Sequence, residues 1–351
     1  MIELDGSYGE GGGQIVRTAL ALSTLLQKPF EITKIRHGRK EPGLKNQHLY
    51  CIKALEQLCN AQVGYAELGS ERLRFIPKKI TSSKINVDIE TAGSITLLLQ
   101  SLLLPCIFSD KSKKIEIIGG TDVAWSPQID YLKEIILPQI KKYAEKIELN
   151  IERRGYYPKG NGKITLKIKP KHNLENINLA LGINLTEQGN LIQIKGISHA
   201  SSDLQTAEVA ERQERAAKIA LSELKIPIKI DSTYSEADST GSGITLWAVF
   251  SKEQENLGYL DPIRIGSDIL GEKGKPAEDV GKQVAIKLLE EINSKAAADQ
   301  HLADNLIPFL ALTKGAITTS KITDHTLTNI YVVERFLGKT FSIDQNTIRK
   351  I

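Results

Sequence analysis

The sequence is short of several things, and each shortage excludes something. Cysteine occurs three times, as Cys51, Cys59 and Cys106. None forms a CxxC pair and the number is odd, which argues against a disulfide framework and for buried, reduced thiols. There is one methionine, and aromatics make up only 5% of the residues. Charge of either sign is not in excess: 46 Lys and Arg against 42 Asp and Glu leave a net +4. No global field marks a nucleic-acid binder, so an anionic partner must be held by a local basic cluster. The opening Met1-Ile2-Glu3-Leu4-Asp5 has neither the basic nor the apolar part of a secretion signal. The longest apolar stretch, residues 95–108, is broken by Gln100, Ser101 and Pro105 and is too short to span a bilayer. A cytoplasmic protein without a membrane segment is expected.

What is present is a chain of 351 residues, 41% hydrophobic and 25% charged, long enough for two or more packed units. Helical and extended patterns alternate throughout, which points to an α+β or α/β class. A Gly-rich turn at 6–13 leads into a helix over 14–26, an extended segment over 30–35, a basic loop over 37–45, a helix over 46–59 and short strands over 62–67 and 72–77. The order returns after an extended 85–90, with helices over 94–104 and 126–143 and strands over 114–118, 146–152 and 162–169. It returns again over 301–351. The expected class is α+β: a large domain of three repeated helix–strand–helix–strand–strand units over 1–182 and 269–351, with a smaller α/β domain inserted over 183–268. In that insert a charged helix is expected over 202–224, and a helix over 276–293 returns the chain to the main domain.

Four segments carry candidate chemistry. Glycines in Gly6-Ser7-Tyr8-Gly9-Glu10-Gly11-Gly12-Gly13 allow backbone to approach a ligand, and the helix that follows favours an anion. The spacing is neither GxxxxGK[ST] nor GxGxxG. Glu10 is the one acidic side chain in the turn and can hold a divalent metal or simply cap the helix. Arg36, Arg39, Lys40 and Lys45 lie in a loop stiffened by Pro42-Gly43, with Arg17 on the preceding helix able to join them. Arginine forks match phosphate oxygens, although a solvated loop is the commoner fate of such a run. His301, Asp304 and Asn305 share one helix face at spacings of three and four. His325 opens a helix, where neutral imidazole is a competent nucleophile toward phosphorus. Taken alone, a histidine there is more often a cap or a core residue. The second helices of the three units open at Asn46-Gln47-His48, Ser126-Pro127-Gln128 and Asp324-His325-Thr326, so these residues hold equivalent places.

Read together, DGSYGEGGGQIVRTALALS, IRHGRKEPGLKNQHL, TAGSITLLLQ, GGTDVAWSPQIDY, RRGYYPKGNG, HLADNLIPFLAL and HTLTNIYVVERFL resemble the RNA 3′-terminal phosphate cyclase family from end to end, in the family's order. The resemblance implies a ligase that turns RNA 3′-phosphate ends into 2′,3′-cyclic phosphates with ATP as co-substrate and Mg2+ or Mn2+. His325 matches the nucleophile that takes AMP. Gln100, Pro127, His301, Leu302, Ala303, Asp304 and Asn305 match the adenylate-binding positions. Arg17, Arg36, Arg39 and Gln47 match the cluster that holds phosphates and the RNA end, and Glu10 matches the metal-binding acid. The family's usual HLADQL reads HLADNL here, one methylene shorter, which weakens the case for direct contact between Asn305 and ATP. The alternative is the family's non-catalytic branch, which acts in ribosome assembly and lacks the nucleophile. More distant rivals are a carboxyvinyl transferase and a passive RNA-end binder. The oligomeric state is left open between monomer and homodimer.

Overall fold

The structure, a computed structural model, describes residues 1–252 and 263–351, so part of the insert lies outside the described residues. The first unit runs β1 (Ile2–Asp5), α1 (Gln14–Leu26), β2 (Phe30–Thr33), α2 (Asn46–Cys59), β3 (Gln62–Gly64) and β4 (Leu73–Ile76). The second starts with β5 (Lys84–Asp88), α3 (Ile95–Ile107) and β6 (Lys113–Gly119). Its next helix is segmented into α4 (Ile129–Tyr131), a π turn over Leu132–Ile136, α5 (Leu137–Ile140) and a 3-10 turn, before β7 (Ala144–Arg153) and β8 (Gly162–Pro170). Pro138, which has no N–H to donate, sits just past the π turn, where the ladder is already widened.

The third unit opens with β9 (Ile183–Leu185), is interrupted, and resumes with α8 (Gln300–Leu312), β14 (Gly315–Thr318), α9 (Asp324–Leu337), β15 (Phe341–Asp344) and β16 (Thr347–Lys350). The three sheets have the same wiring: β1-β2-β4-β3, β5-β6-β8-β7 and β9-β14-β16-β15. In each, the first two strands are parallel and the remaining pairings antiparallel. The fold is α+β. Each unit carries a leading strand that the five-element reading of the sequence omits.

The interruption holds β10 (Asn190–Ser201), α6 (Val209–Leu221), β11 (Ile228–Ser235), β12 (Ser242–Ser251), β13 (Ile263–Leu270) and α7 (Ala277–Asn293). Its sheet runs β11-β10-β12-β13. Two features differ from the expected division at 183 and 268. Ile183–Leu185 pairs in parallel with Gly315–Ile317, so it belongs to the third sheet. Helix α7 packs on α6, β12 and β13 rather than on the main sheets. The physical reason is that its buried stripe, Val280, Val284, Ala285 and Leu288, is satisfied by α6 and the insert's sheet.

Helix α3 is enclosed, with eleven of its thirteen residues buried, and packs against α1, α2 and α8. Helix α9 lies against α1 and α8. The N-terminal turns of α3, α8 and α9 are capped by Ser94, Asp299 and Thr323, whose side chains accept backbone N–H bonds.

Candidate active site

The capped start of α9 holds His325. Thr323 Oγ1 accepts from the Thr326 N–H at 3.0 Å. Asp304 on α8 accepts from Thr323 Oγ1 at 2.7 Å, and also from Thr326 Oγ1. Its own carbonyl accepts from Asn329 Nδ2 at 2.6 Å, and Asn329 Oδ1 accepts from Thr18 Oγ1 of α1 at 2.7 Å. The helix end that carries His325 is therefore pinned from two sides. Burial pushes the Asp304 carboxyl up, and the Thr326 and Thr323 hydroxyls pull it back.

His325 itself is half-exposed, with Nε2 3.6 Å from Glu10 Oε2. The Glu10 carboxylate also accepts from the Arg39 guanidinium at 3.3 Å. Gln14, the first residue of α1, donates to the His325 carbonyl at 3.2 Å. The Gly-rich turn thus lies against the start of α9. Gly9 and Gly11 have φ of +59° and +55°, and a Cβ on Gly13 would fall 1.9 Å from His48 Nε2.

His48 lies at the centre of the basic cluster. Its Nδ1 accepts from the Lys45 N–H at 2.9 Å, so it caps α2 as a neutral ring. Burial first, then the charges of Arg17, Arg36 and Lys45, push its pKa down to about 3. Burial and the neighbouring Arg39 lower the Arg36 guanidinium in the same way. Arg17, Arg36 and Arg39 therefore share one neighbourhood, and only Arg39 has a carboxylate ion pair there among the described residues. Such a crowd of cations is relieved by a phosphate. Gln47 is anchored to Ser94 by two bonds, donating at 3.0 Å and accepting at 2.7 Å, which ties α2 to the start of α3.

A second row crosses all three units. Arg17 Nε donates to Gln100 Oε1 at 3.0 Å, Gln100 Nε2 donates to Asn305 Oδ1 at 3.0 Å, and Asn305 Nδ2 donates to the His301 carbonyl at 2.8 Å. The short amide of Asn305 folds back onto its own helix. Of the other sequence candidates, His301 is exposed, with its ring 6.4 Å from that of Tyr131, and Pro127 offers its carbonyl to Thr96 Oγ1 at 2.8 Å. Leu302 and Ala303 are fully buried, so their side chains form core.

Sequence reasoning overlooked the supports: the Tyr8–Tyr331 ring stack at 4.0 Å, the Thr18–Asn329 bond and the Thr323/Thr326 staple on Asp304. It also overlooked a fully buried network beside the insert. Asp122, Asp130 and His199 bring donor atoms within 4.8 Å of one another, a spacing that suits a metal. Arg154 already donates to Asp122 at 3.0 Å and to Asp130 at 2.6 Å, supplying the positive charge itself. His199 bonds Gln128 at 2.7 Å and Tyr156 at 2.9 Å and is held neutral by burial and by Arg154.

Three like-wired units that bring an imidazole, a carboxylate and a guanidinium cluster together define the protein as an α+β fold of repeated units with a candidate phosphate site. The RNA 3′-terminal phosphate cyclase family model matches residues 8–343. The chain is 46% identical to the RNA 3′-terminal phosphate cyclase of Pyrococcus abyssi over 345 residues, covering 98% of this chain and 95% of that one. It is 41% identical to that of Methanosarcina mazei, covering 98% and 97%, and 40% identical to that of Pyrobaculum aerophilum, covering 97% and 94%. The chain belongs to the RNA 3′-terminal phosphate cyclase family.

Proposed function

We propose that this protein converts RNA 3′-phosphate ends to 2′,3′-cyclic phosphates, using ATP and a covalent His325–AMP intermediate. The observation that carries the reading is the half-exposed His325 imidazole, fixed at a pinned helix start, facing Glu10 and beside a crowded guanidinium cluster. The lone pair of His325 Nε2 attacks the α-phosphorus of ATP, an N–P bond forms and pyrophosphate leaves. An oxygen of the RNA 3′-phosphate then attacks the same phosphorus, breaking the N–P bond and giving an RNA-adenylate anhydride. The 2′-OH attacks the RNA phosphorus and gives up its proton to solvent, and AMP leaves with the bonding pair. This last step is intramolecular, so positioning alone removes much of its barrier.

Arg17, Arg36, Arg39 and Gln47 hold the phosphates and the RNA end, and preorganised guanidinium groups are worth most where charge gathers during transfer. Gln100, Pro127, His301, Asn305 and the backbone of Leu302 and Ala303 form the nucleotide side of the site. Asp304 acts there through Thr323 and Thr326, as a positioning residue. The single half-exposed carboxylate of Glu10 fits a hard divalent cation such as Mg2+ or Mn2+, which takes one or two carboxylates and completes its shell with substrate phosphates and water. Bound there, such an ion neutralises phosphate charge.

Among the described residues no helix is long and apolar enough to cross a membrane. We assign the protein to the cytoplasm. The reading is tested by incubating a 3′-phosphorylated RNA with the protein and ATP. A 2′,3′-cyclic end that forms only with ATP supports it, and an unchanged 3′-phosphate refutes it.

A further inference from the structure

We propose that Trp125 is a stacking platform for a nucleobase near the 3′ end of the bound RNA, an inference that rests on the cyclase reading for its ligand. Trp125 is 98% exposed, whereas the chain's other tryptophan, Trp247, is 5% exposed. Single exposed apolar residues are ordinary and ask for no explanation. Trp125 differs in its backbone, which has φ +66°, a conformation unfavourable for a bulky aromatic residue.

The loop that presents it is held at both ends. The Ile129 N–H donates to the Thr121 carbonyl at 3.1 Å and closes the loop on itself. The Thr121 N–H donates to the Gly155 carbonyl at 2.9 Å, and the Gln128 N–H donates to Asp268 Oδ2 at 2.7 Å. Inside the loop, Ser126 Oγ donates to the Val123 carbonyl at 2.9 Å. Thr121, Asp122, Val123 and Gln128 are buried, and only Ala124 and Trp125 are exposed at the tip. A rigid loop that spends conformational strain to hold an indole in water is preorganised for a flat partner, and an aromatic with two side-chain torsions loses little entropy on stacking.

The loop also lies at the rim of the proposed site. The Pro127 carbonyl, two residues on, is bonded by Thr96 of α3, one turn before Gln100. Ser94, at the cap of the same helix, is bonded to Gln47. An RNA whose terminal phosphate reaches the Arg17–Gln47 cluster therefore has its last bases beside this loop. The base is assigned to RNA rather than to ATP because Trp125 stands at the exposed tip. The nucleotide side is formed by Pro127 at the half-buried base of the loop and by Gln100 and Asn305 on the helices within.

The test is a thermodynamic cycle run without ATP, so that it needs no turnover and stands apart from the fate of the cyclase chemistry. Binding of a 3′-phosphorylated RNA is measured for wild type, Trp125→Ala and Trp125→Phe. The RNAs are intact or carry an abasic residue at one of the last three positions. Circular dichroism and the residual emission of Trp247 report that each variant is folded. Stacking is worth roughly tenfold or more in affinity per base. At one position the abasic change is expected to weaken wild type about tenfold and leave Trp125→Ala unaffected, with Trp125→Phe close to wild type. RNA should also quench the exposed tryptophan. Equal abasic penalties in wild type and Trp125→Ala at all three positions overturn the proposal. Quenching by ATP alone, with none by RNA, overturns it too by giving the platform to adenine.

Discussion

His325 Nε2 stands 3.6 Å from Glu10 Oε2, although one residue belongs to the last helix and the other to the first turn of the chain. The contact joins the proposed nucleophile of the third unit to the metal-binding candidate of the first. Replacing Glu10 with Gln keeps the shape and removes the charge. The rate of His325 adenylylation is expected to fall about a hundredfold, the scale of losing one electrostatic contact to a phosphoryl transition state. The metal concentration for half-maximal rate should rise, and chelation with EDTA should stop the wild-type reaction. Metal dependence unchanged in Glu10→Gln removes Glu10 from the metal site.

Asp304 is expected to act by holding α9. Asp304→Ala leaves the Thr323 and Thr326 hydroxyls without their acceptor, at a cost of about 1–3 kcal/mol in stability. It should lower the adenylylation rate with little change in KM for ATP. Asp304→Asn retains an acceptor oxygen and should recover most of the rate. A raised KM with an intact rate would instead make Asp304 an ATP ligand.

The buried network at the insert makes a stability prediction. Arg154 bridges Asp122 and Asp130, and all three are nearly inaccessible. Arg154→Met leaves two buried carboxylates without a cation and should cost about 3–5 kcal/mol in urea unfolding. Adding Asp122→Asn and Asp130→Asn should recover much of the loss. A loss below about 1 kcal/mol in the single variant would show that water reaches the carboxylates.

His48 gives a pH dependence with a definite sign. Folded, it titrates near 3, against an ordinary value of 6.5 in the unfolded chain. Between those limits the unfolded chain binds a proton that the folded chain refuses, so stability falls as pH falls, by up to about 1.4 kcal/mol per pH unit. His199, also depressed, works in the same direction. Glu291, raised to about 7 by burial, works in the opposite one, losing stability as pH rises from its unfolded value toward 7. His48→Gln keeps a side chain able to accept the Lys45 N–H and removes the titration. Chemical denaturation at pH 6.5 and 4.5 should show a smaller acid loss in the variant than in wild type. Equal losses would mean that His48 is free to ionise in the folded protein.

Much of this was legible in the sequence where the signal is local. Helices α1 and α2 were expected at 14–26 and 46–59, because a glycine-containing turn precedes each and apolar periodicity runs along both. The charged helix expected from 202 starts only at Val209, after Glu208 takes a left-handed backbone. Strand β9 has three residues, and the insert separates it from the rest of its unit, so no pattern announces it. Helix α7 shows its apolar stripe plainly, but a stripe does not name the surface that will cover it. The candidates Glu10, Arg39 and His325 were each nominated by motif, and their meeting needed the fold. The Asp304 staple and the Arg154 bridge escaped notice because the bonds join residues about 20 to 30 positions apart in the chain, beyond any local periodicity.

The most direct test is to incubate the protein with α-labelled ATP and magnesium, beside His325→Ala, and to look for label that is stable to alkali and released by acid. Label on wild type and none on folded His325→Ala is the expected result. Absence of label on folded wild type, with manganese as well as magnesium, would contradict the nucleotidyl-histidine mechanism.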